Sequence, residues 1–488
     1  MACSGVLRYH VIAPHYLFWL QLLLGSHTRT TMSTIDFIPP EILVQIFSTS
    51  FFLNDNQDVI ISPHQGPLLI SRVSRKWRHV VLSDSRLWSS LSISITSTTR
   101  PTNISMLKLW LKRSSSQLLS FTLIMDQFSS LNSELLSLSQ LTLQELATES
   151  HRWKRITMFL PGSQQLLRGL VTHGTPNLEF ASFQLGHWKS NEIDDINDIL
   201  GLAPSLKMLD WSNRTTQWTS FDSPFDGGIG NLQVSWKNLT HVILNTWITW
   251  KTALHILRQC SSIVNFDLHH FGYGSDVETK EDCSPILLEH LSSLSIYQLE
   301  LDHSLASLLD KLTCPALRHF HFTCGFINSI TWPHLSFLDF LVRSACHIHT
   351  LLLEYTGINE NQLLQCLRQS SSSLSCLQVY SDAAGSICVG DKLLDQLHPR
   401  STVFGECTTL CPNLRTLVLH NNIQCTEGAL LTMLQSRTVL GIAQHRCTTC
   451  SVSIQHVNLQ FAKCRRPNDL YLMSLRNLTN AGMNIQCL

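Results

Sequence analysis

The sequence predicts an α/β fold: a small helical module at the N-terminus, then an irregular repeat solenoid with a parallel sheet inside and helices outside. Three observations lead there. A six-residue frame, apolar-x-x-apolar-x-apolar, recurs along most of the chain. Amphipathic stretches with apolar residues three and four positions apart lie between the frames, as helices require. Ahead of both stands a different pattern, a Pro-Pro-Glu helix start followed by a basic, tryptophan-bearing stretch.

The frame begins at Leu178, Leu206, Leu239, Ile263, Leu291, Leu317, Ile348, Leu374 and Leu414, with weaker copies at Trp88, Leu118, Trp153 and Ile454. The starts lie 24 to 40 residues apart, close to 30 on average, and chance does not hold that spacing through thirteen copies. Helical patterns occupy 133–150, 250–260, 304–312 and 360–370. Junctions such as TPN, APS, CPA and CPN lead into the next strand, because Pro ends a helix and favours extended backbone. Stretches 212–235, 269–287 and 381–408 lack helical pattern and read as loops or insertions. A unit of this size cannot bury its apolar face alone, and stacking neighbours builds one continuous core.

Composition narrows the function. A chain of 488 residues exceeds one compact core, and 44% apolar against 14% charged residues excludes disorder for most of its length. Thirty-five basic and 35 acidic residues cancel, which argues against a dedicated nucleic-acid or anionic-membrane surface. Of sixteen cysteines, fifteen lie from Cys260 to Cys487 and none between Cys3 and Cys260, unlike a disulfide-stapled secreted chain. Reduced thiols acting as small hydrophobes fit better, and the expected location is cytoplasmic or nuclear. Residues 11–25 look like a signal h-region, yet Met32 stands just before the patterned sequence. The expected division is an N-terminal extension at 1–32, a helical module at 33–90 and the solenoid at 91–488.

No catalytic motif emerges: neither a phosphate-binding Gly-Lys-Ser/Thr loop nor a G-x-S-x-G elbow is present. The GGIG at 227–230 lacks the strand-turn-helix context of a dinucleotide site. Cys447 and Cys450 form a single C-x-x-C pair near His445, His456 and Cys464, whereas structural zinc usually takes two such pairs. The expectation is a non-enzyme with no metal and no cofactor.

In the front module, Pro39, Pro40 and Glu41 suit the first turn of a helix. Ile42, Leu43, Ile46 and Phe47 then share one face. After a loop at 53–66, Leu69, Val73, Trp77 and Val80 fall on one helical stripe, with Arg72, Arg75, Lys76, Arg78 and His79 around it. These cations flank an apolar stripe rather than forming a nucleic-acid face. Val80, Val81 and Leu82 are expected in the module's own core.

The run IPPEIL…IF, then LLISRVSRKWRHVV, then SRLWSSLSI closely resembles the F-box, in the F-box-like form that precedes degenerate leucine-rich repeats in large fungal families. The stretch 107–123 looks like that family's first helix-strand unit, and the strand-helix period resembles the leucine-rich-repeat superfamily. The departures are Ile38 where Leu is usual, Ser74 where Cys is common and a longer loop at 53–66. The Asn or Cys usual after the third apolar position is mostly missing, with only Asn245 and Asn421 near it. The resemblance implies a three-helix module docking onto the Skp-type adaptor, and through it a cullin, of a cullin-RING ubiquitin ligase. It implies adaptor contacts from Ile38, Pro39, Leu43, Ile46, Phe47, Val73 and Trp77. The repeats would then present a protein substrate; the alternative is an interaction scaffold without a ligase role.

The two-residue strand period sends the frame's apolar residues into the core and the alternate ones to the concave face. That face comprises Met208, Asp210, His241, Asn245, Asn265, Asp267, His269, Ser295, Tyr297, His319, His321, Glu354, Gln378, Tyr380 and His420. It is polar, rich in His and carries aromatic anchors, and is the expected substrate surface.

Overall fold

The computed structural model describes residues 38–487 except 52–59, 62–63, 97–98, 100–101, 126–132, 161–166, 168–169, 171–173, 187–192, 214–228, 273–283, 299–302, 326–331, 382–388, 400–408, 422, 445–451 and 462–468. The signal-like stretch, the Cys447–Cys450 pair with His445, Cys464 and the first half of GGIG lie outside the described residues.

The described residues begin with three helices: α1 (Pro40–Phe51), α2 (Gly66–Ile70) and α3 (Arg75–Ser83). The stripe expected to run unbroken from Leu69 to Val80 is split, because Ser74 takes extended backbone and its hydroxyl accepts the Trp77 N–H at 3.1 Å. That is an N-cap, which starts a new helix rather than continuing the old one. Val80 is buried as expected and Trp77 is buried beside it, while Val73 on the connecting turn is 41% exposed. Leu82, expected in the core with Val80 and Val81, is 44% exposed because α3 turns it outward.

A 3-10 turn (Ser85–Trp88) leads into the first strand. The strands in chain order are β1 (Ser90–Ile95), β2 (Leu119–Met125), β3 (Trp153–Leu160), β4 (Phe180–Leu185), β5 (Met208–Asn213), β6 (His241–Ile248), β7 (Asn265–Phe271), β8 (Ile286–Leu287), β9 (Ser293–Gln298), β10 (Leu312–Thr313), β11 (His319–Cys324), β12 (Thr350–Glu354), β13 (Cys376–Tyr380), β14 (Thr416–His420), β15 (His456–Gln460) and β16 (Asn484–Cys487). All but β8 and β10 form one sheet of 14 strands in sequence order, and its neighbours pair parallel. The two short strands pair parallel with each other.

All thirteen frames become strands of this sheet, and their apolar positions lie in register. Leu209 pairs with Val242 and Trp211 with Leu244; Val242 pairs with Phe266 and Leu244 with Leu268; the rows continue to Leu417–Val457 and Leu419–Leu459. One hydrophobic cluster runs from Leu43 to Met483, joining the front helices to the sheet. Parallel strands need a crossover, and helices at Ser133–Ala147, Trp250–Gln259, Ser304–Leu309 and Glu360–Gln369 supply several of them.

Four details differ from the sequence reading. The stretch 381–408 holds a helix, Asp391–Leu397, whose seven residues are too few to show a clear period. Residues at the start of 212–235 and at both ends of 269–287 are strand: Ser212 and Asn213 complete β5, His269 to Phe271 complete β7, and Ile286 and Leu287 make β8. At the second frame Leu119, not Leu118, fills the first apolar position, because the register shifts between Leu119 and Ser120. The last strand, β16, escapes the frame because Gly482 stands where the first apolar residue belongs, although Ile485 and Cys487 pair with Val457 and Leu459.

The junction residues have a definite task. Asn177 donates to the His151 carbonyl at 2.7 Å, Ser205 to Pro176 at 2.7 Å, Asn238 to Pro204 at 2.9 Å and Asn413 to Ser372 at 2.7 Å. Each donor immediately precedes its frame, and each acceptor lies two residues before the preceding frame. A polar side chain thus ties each of these units to the one before it.

Candidate functional site

Two surfaces carry the candidate residues. At the N-terminal end, α1 turns Leu43, Val44 and Phe47 inward and leaves Ile42 and Ile46 44% and 49% exposed. The Phe47 and Trp77 rings meet at 5.0 Å, and the Lys76 ammonium donates to the Ile38 carbonyl at 2.8 Å, fixing the start of α1 against α3. The Trp88 indole N–H donates to the Val81 carbonyl at 2.8 Å, which anchors the end of α3 over the first strand.

The second surface is the sheet face opposite the core. Asp210, His241, Asn245, Asn265, Asp267, His269, Tyr297, His319, His321, Glu354, Tyr380 and His420 all lie at least partly exposed on it, as the strand period requires. The register aligns them in rows: Asn245 opposite His269, Asp267 opposite Ser295, His321 opposite Ser295, and Glu354 opposite Tyr380 opposite His420. Three local groupings result. Ser182 donates to Asp210 at 2.7 Å, while burial pushes the Asp210 carboxyl above its usual range, partly offset by that bond and by His269. His269 stacks near Tyr297 with ring centroids 6.4 Å apart, and His270 meets the same ring edge-on at 6.3 Å. Tyr380 and His420 meet edge-on at 4.7 Å, with the Tyr380 hydroxyl donating to Gln378 at 3.1 Å.

His321 sits in a polar chain. Thr323 donates to the Glu354 carboxylate at 2.8 Å, and His321 Nε2 lies 2.9 Å from the same Thr323 oxygen. A hydroxyl has one proton to give, so Thr323 accepts here and His321 carries its proton on Nε2. Burial lowers the His321 pKa, against the opposing pull of Glu354 and Asp267. The face between Met208 and Gln486 presents aspartate, glutamate, histidine, aromatic and amide groups from its strands.

With the helices and both faces in view, the comparison with known families decides the front module. Residues 35–94 match the F-box-like family model. No curated protein matches the chain.

The F-box-like domain therefore spans α1 to α3, the 3-10 turn and nearly all of β1, so it ends within the sheet rather than before it. Its implied contact residues divide in two. Pro39, Ile46 and Val73 are exposed and Ile38 partly so. Leu43, Phe47 and Trp77 are 1%, 2% and 7% exposed: they pack inward and belong to the domain's own core. On α1, Ile42 is exposed as well, although it is not among the implied contacts. Its place one turn before Ile46 was visible in the sequence, but the inward and outward halves of α1 were not.

Among the described residues, no helix is long and apolar enough to cross a membrane. Cys260, Cys314, Cys366 and Cys411 are buried, and burial pushes each thiol up to about 12, so these side chains pack as small hydrophobes.

Proposed function

We propose that the chain is a substrate-recognition subunit of an SCF-type cullin-RING ubiquitin ligase. The F-box-like domain at residues 35–94 is the observation that carries this reading. In it, Ile38, Pro39, Ile42, Ile46 and Val73 dock onto a Skp-type adaptor, and through it a cullin. A docking surface needs apolar side chains that the folded domain leaves outside its own core, and these meet that need. The strands that follow form an irregular leucine-rich-repeat solenoid whose polar, histidine-rich face holds a protein substrate in the cytoplasm or nucleus. The subunit has no chemistry of its own. It raises the effective concentration of the substrate beside a charged ubiquitin-conjugating enzyme, which makes transfer quasi-intramolecular.

The test is recovery of a Skp-type adaptor by the full chain and by Ile46→Asp. Wild type is expected to bind and the variant to lose binding while its melting profile stays unchanged. Absence of binding by wild type would end the reading. Co-recovery of a cullin, with proteasome-dependent loss of a bound protein, separates a ligase subunit from a scaffold that only engages the adaptor.

A further inference from the structure

The residues flanking the first apolar position of each frame form another surface, along the edge where the chain enters the sheet. Ile348, Leu374 and Leu414 are buried, so their neighbours turn outward: His347 and His349, Ser373 and Ser375, Asn413 and Arg415. Backbone bonds keep the three units in step, with the Ser375 N–H donating to His349 at 2.9 Å and the Arg415 N–H to Ser375 at 2.8 Å. Together with Ser372 these six residues line an open cavity of about 670 Å³.

Its chemistry is one-sided. Ser373 and Ser375 donate to the Ile348 and His349 carbonyls at 2.8 and 3.0 Å, and Asn413 donates to Ser372. The donors left over are the Arg415 guanidinium, the two imidazoles and the Ser372 hydroxyl. Among the described residues the Arg415, His347 and His349 side chains make no hydrogen bond or ion pair, His349 having only the neighbouring His319 within electrostatic reach, and no carboxylate lines the cavity. Arg318 stands at the equivalent flanking position one unit earlier, also exposed, beside His319. Elsewhere on this edge the same position is charge-compensated, where Lys154 faces Glu179 at 3.9 Å.

We propose that this cavity binds a phosphate monoester. Arg415 approaches from β14 and His347 and His349 from β12, two strand spacings or about 9.5 Å apart at the backbone. Between them lies the low serine floor contributed by the turn into β13. A guanidinium fork matches two oxygens of a phosphate, and the third oxygen is left for donors from the opposite side. A carboxylate, with two oxygens in one plane, would be satisfied by Arg415 alone and leave the histidines without a role. The site lies away from the docking end and borders the open face at His319; the proposal rests on the cavity's own lining and not on the ligase reading.

Isothermal titration of the purified full chain tests this with three probes: inorganic phosphate, a peptide carrying one phosphoserine, and the same peptide unphosphorylated. The variants are Arg415→Gln, His349→Asn and, as an exposed cation elsewhere on the edge, Lys207→Gln. Both phosphate probes are expected to bind and the unphosphorylated peptide not. Arg415→Gln should weaken binding about tenfold or more, as loss of a charge-assisted pair does, with Lys207→Gln unchanged. A phosphopeptide bound much more tightly than inorganic phosphate assigns the source to a modified protein; equal affinity assigns it to a small phosphorylated compound. Absence of binding by either phosphate probe at low-millimolar concentration overturns the proposal. So does equal weakening by Arg415→Gln and Lys207→Gln, which would mean diffuse charge attraction.

Discussion

Trp88 and Trp110 meet edge to face, with ring centroids 4.8 Å apart and planes at 74°. Both are almost fully buried, and the Arg113 guanidinium covers the Trp88 ring at 4.5 Å. This pair joins the end of the F-box-like domain to the first helix behind the sheet, so the two share one core. Trp88→Ala should therefore destabilise the whole chain by about 3–5 kcal/mol, the usual range for emptying a buried aromatic site. Trp88→Phe, which keeps a smaller ring in the site but loses the bond to Val81, should cost less. Denaturant unfolding followed by circular dichroism measures both; a Trp88→Ala variant as stable as wild type would contradict a shared core.

The split of α1 gives a paired prediction. Leu43→Ala removes a side chain 1% exposed and should cost about 2–5 kcal/mol. Ile46→Ala, on the outward face, should stay within about 0.5 kcal/mol of wild type. Thermal melts of the two variants check the assignment of inside and outside without any partner present.

Glu360 anchors the helix that the sequence reading missed. Its Oε1 accepts the Gly390 and Leu393 N–H groups at 3.0 and 2.9 Å, and a Cβ at Gly390 would meet that carboxylate at 2.7 Å. The flexible carboxylate can swing aside, so Gly390→Ala should cost about 1 kcal/mol through weakening of these two bonds. In Glu360→Ala the obstruction is gone, so adding Gly390→Ala should cost clearly less there. Additive losses in this double-mutant cycle would count against the contact.

The side-chain ties between units should each contribute about 1 kcal/mol. Asn238→Ala and Asn413→Ala remove donors to the Pro204 and Ser372 carbonyls, two ties that lie far apart along the sheet. Their effects on unfolding free energy should add in the double variant.

His321 supplies the pH dependence. Its pKa is lower in the fold than in the unfolded chain, chiefly through burial. The unfolded state therefore binds the proton more readily. Its neutral form favours the fold fully above the ordinary histidine value of about 6.5, and this stability is lost as pH falls from there toward the folded pKa. His321→Gln keeps a donor toward Thr323 and does not titrate, so its stability should fall less than that of wild type between pH 7.5 and pH 5.5. Parallel slopes in urea melts at these pH values would refute the assignment.

Much of this molecule was legible before its structure. Frames such as Leu239 to Leu244 declared both the strand and its inward side, because an alternating apolar pattern has only one buried register. The open-face residues followed from the same period. The front module was recognisable from its Pro-Pro-Glu start and tryptophans, yet its apolar residues could not be sorted. Ile46 and Phe47 are adjacent and equally apolar; which one is covered depends on where α3 lies. Short or interrupted elements were also hidden, as with Asp391–Leu397 and β16, whose frame has Gly482 at its first apolar position. The TPN, APS and CPN junctions read as loop signals, whereas their Asn and Ser side chains bridge units through partners 26 to 41 residues away.

By itself the sequence determined the α/β class, the succession of strands and the face each strand residue takes, since these depend on local periodicity. Only the tertiary structure decided which apolar residues of the F-box-like domain remain outside, how Thr323 connects His321 to Glu354, and that two histidines and an arginine border one cavity. Those facts depend on distances between chain segments, set by strand register and helix packing, and no local pattern of residues encodes them.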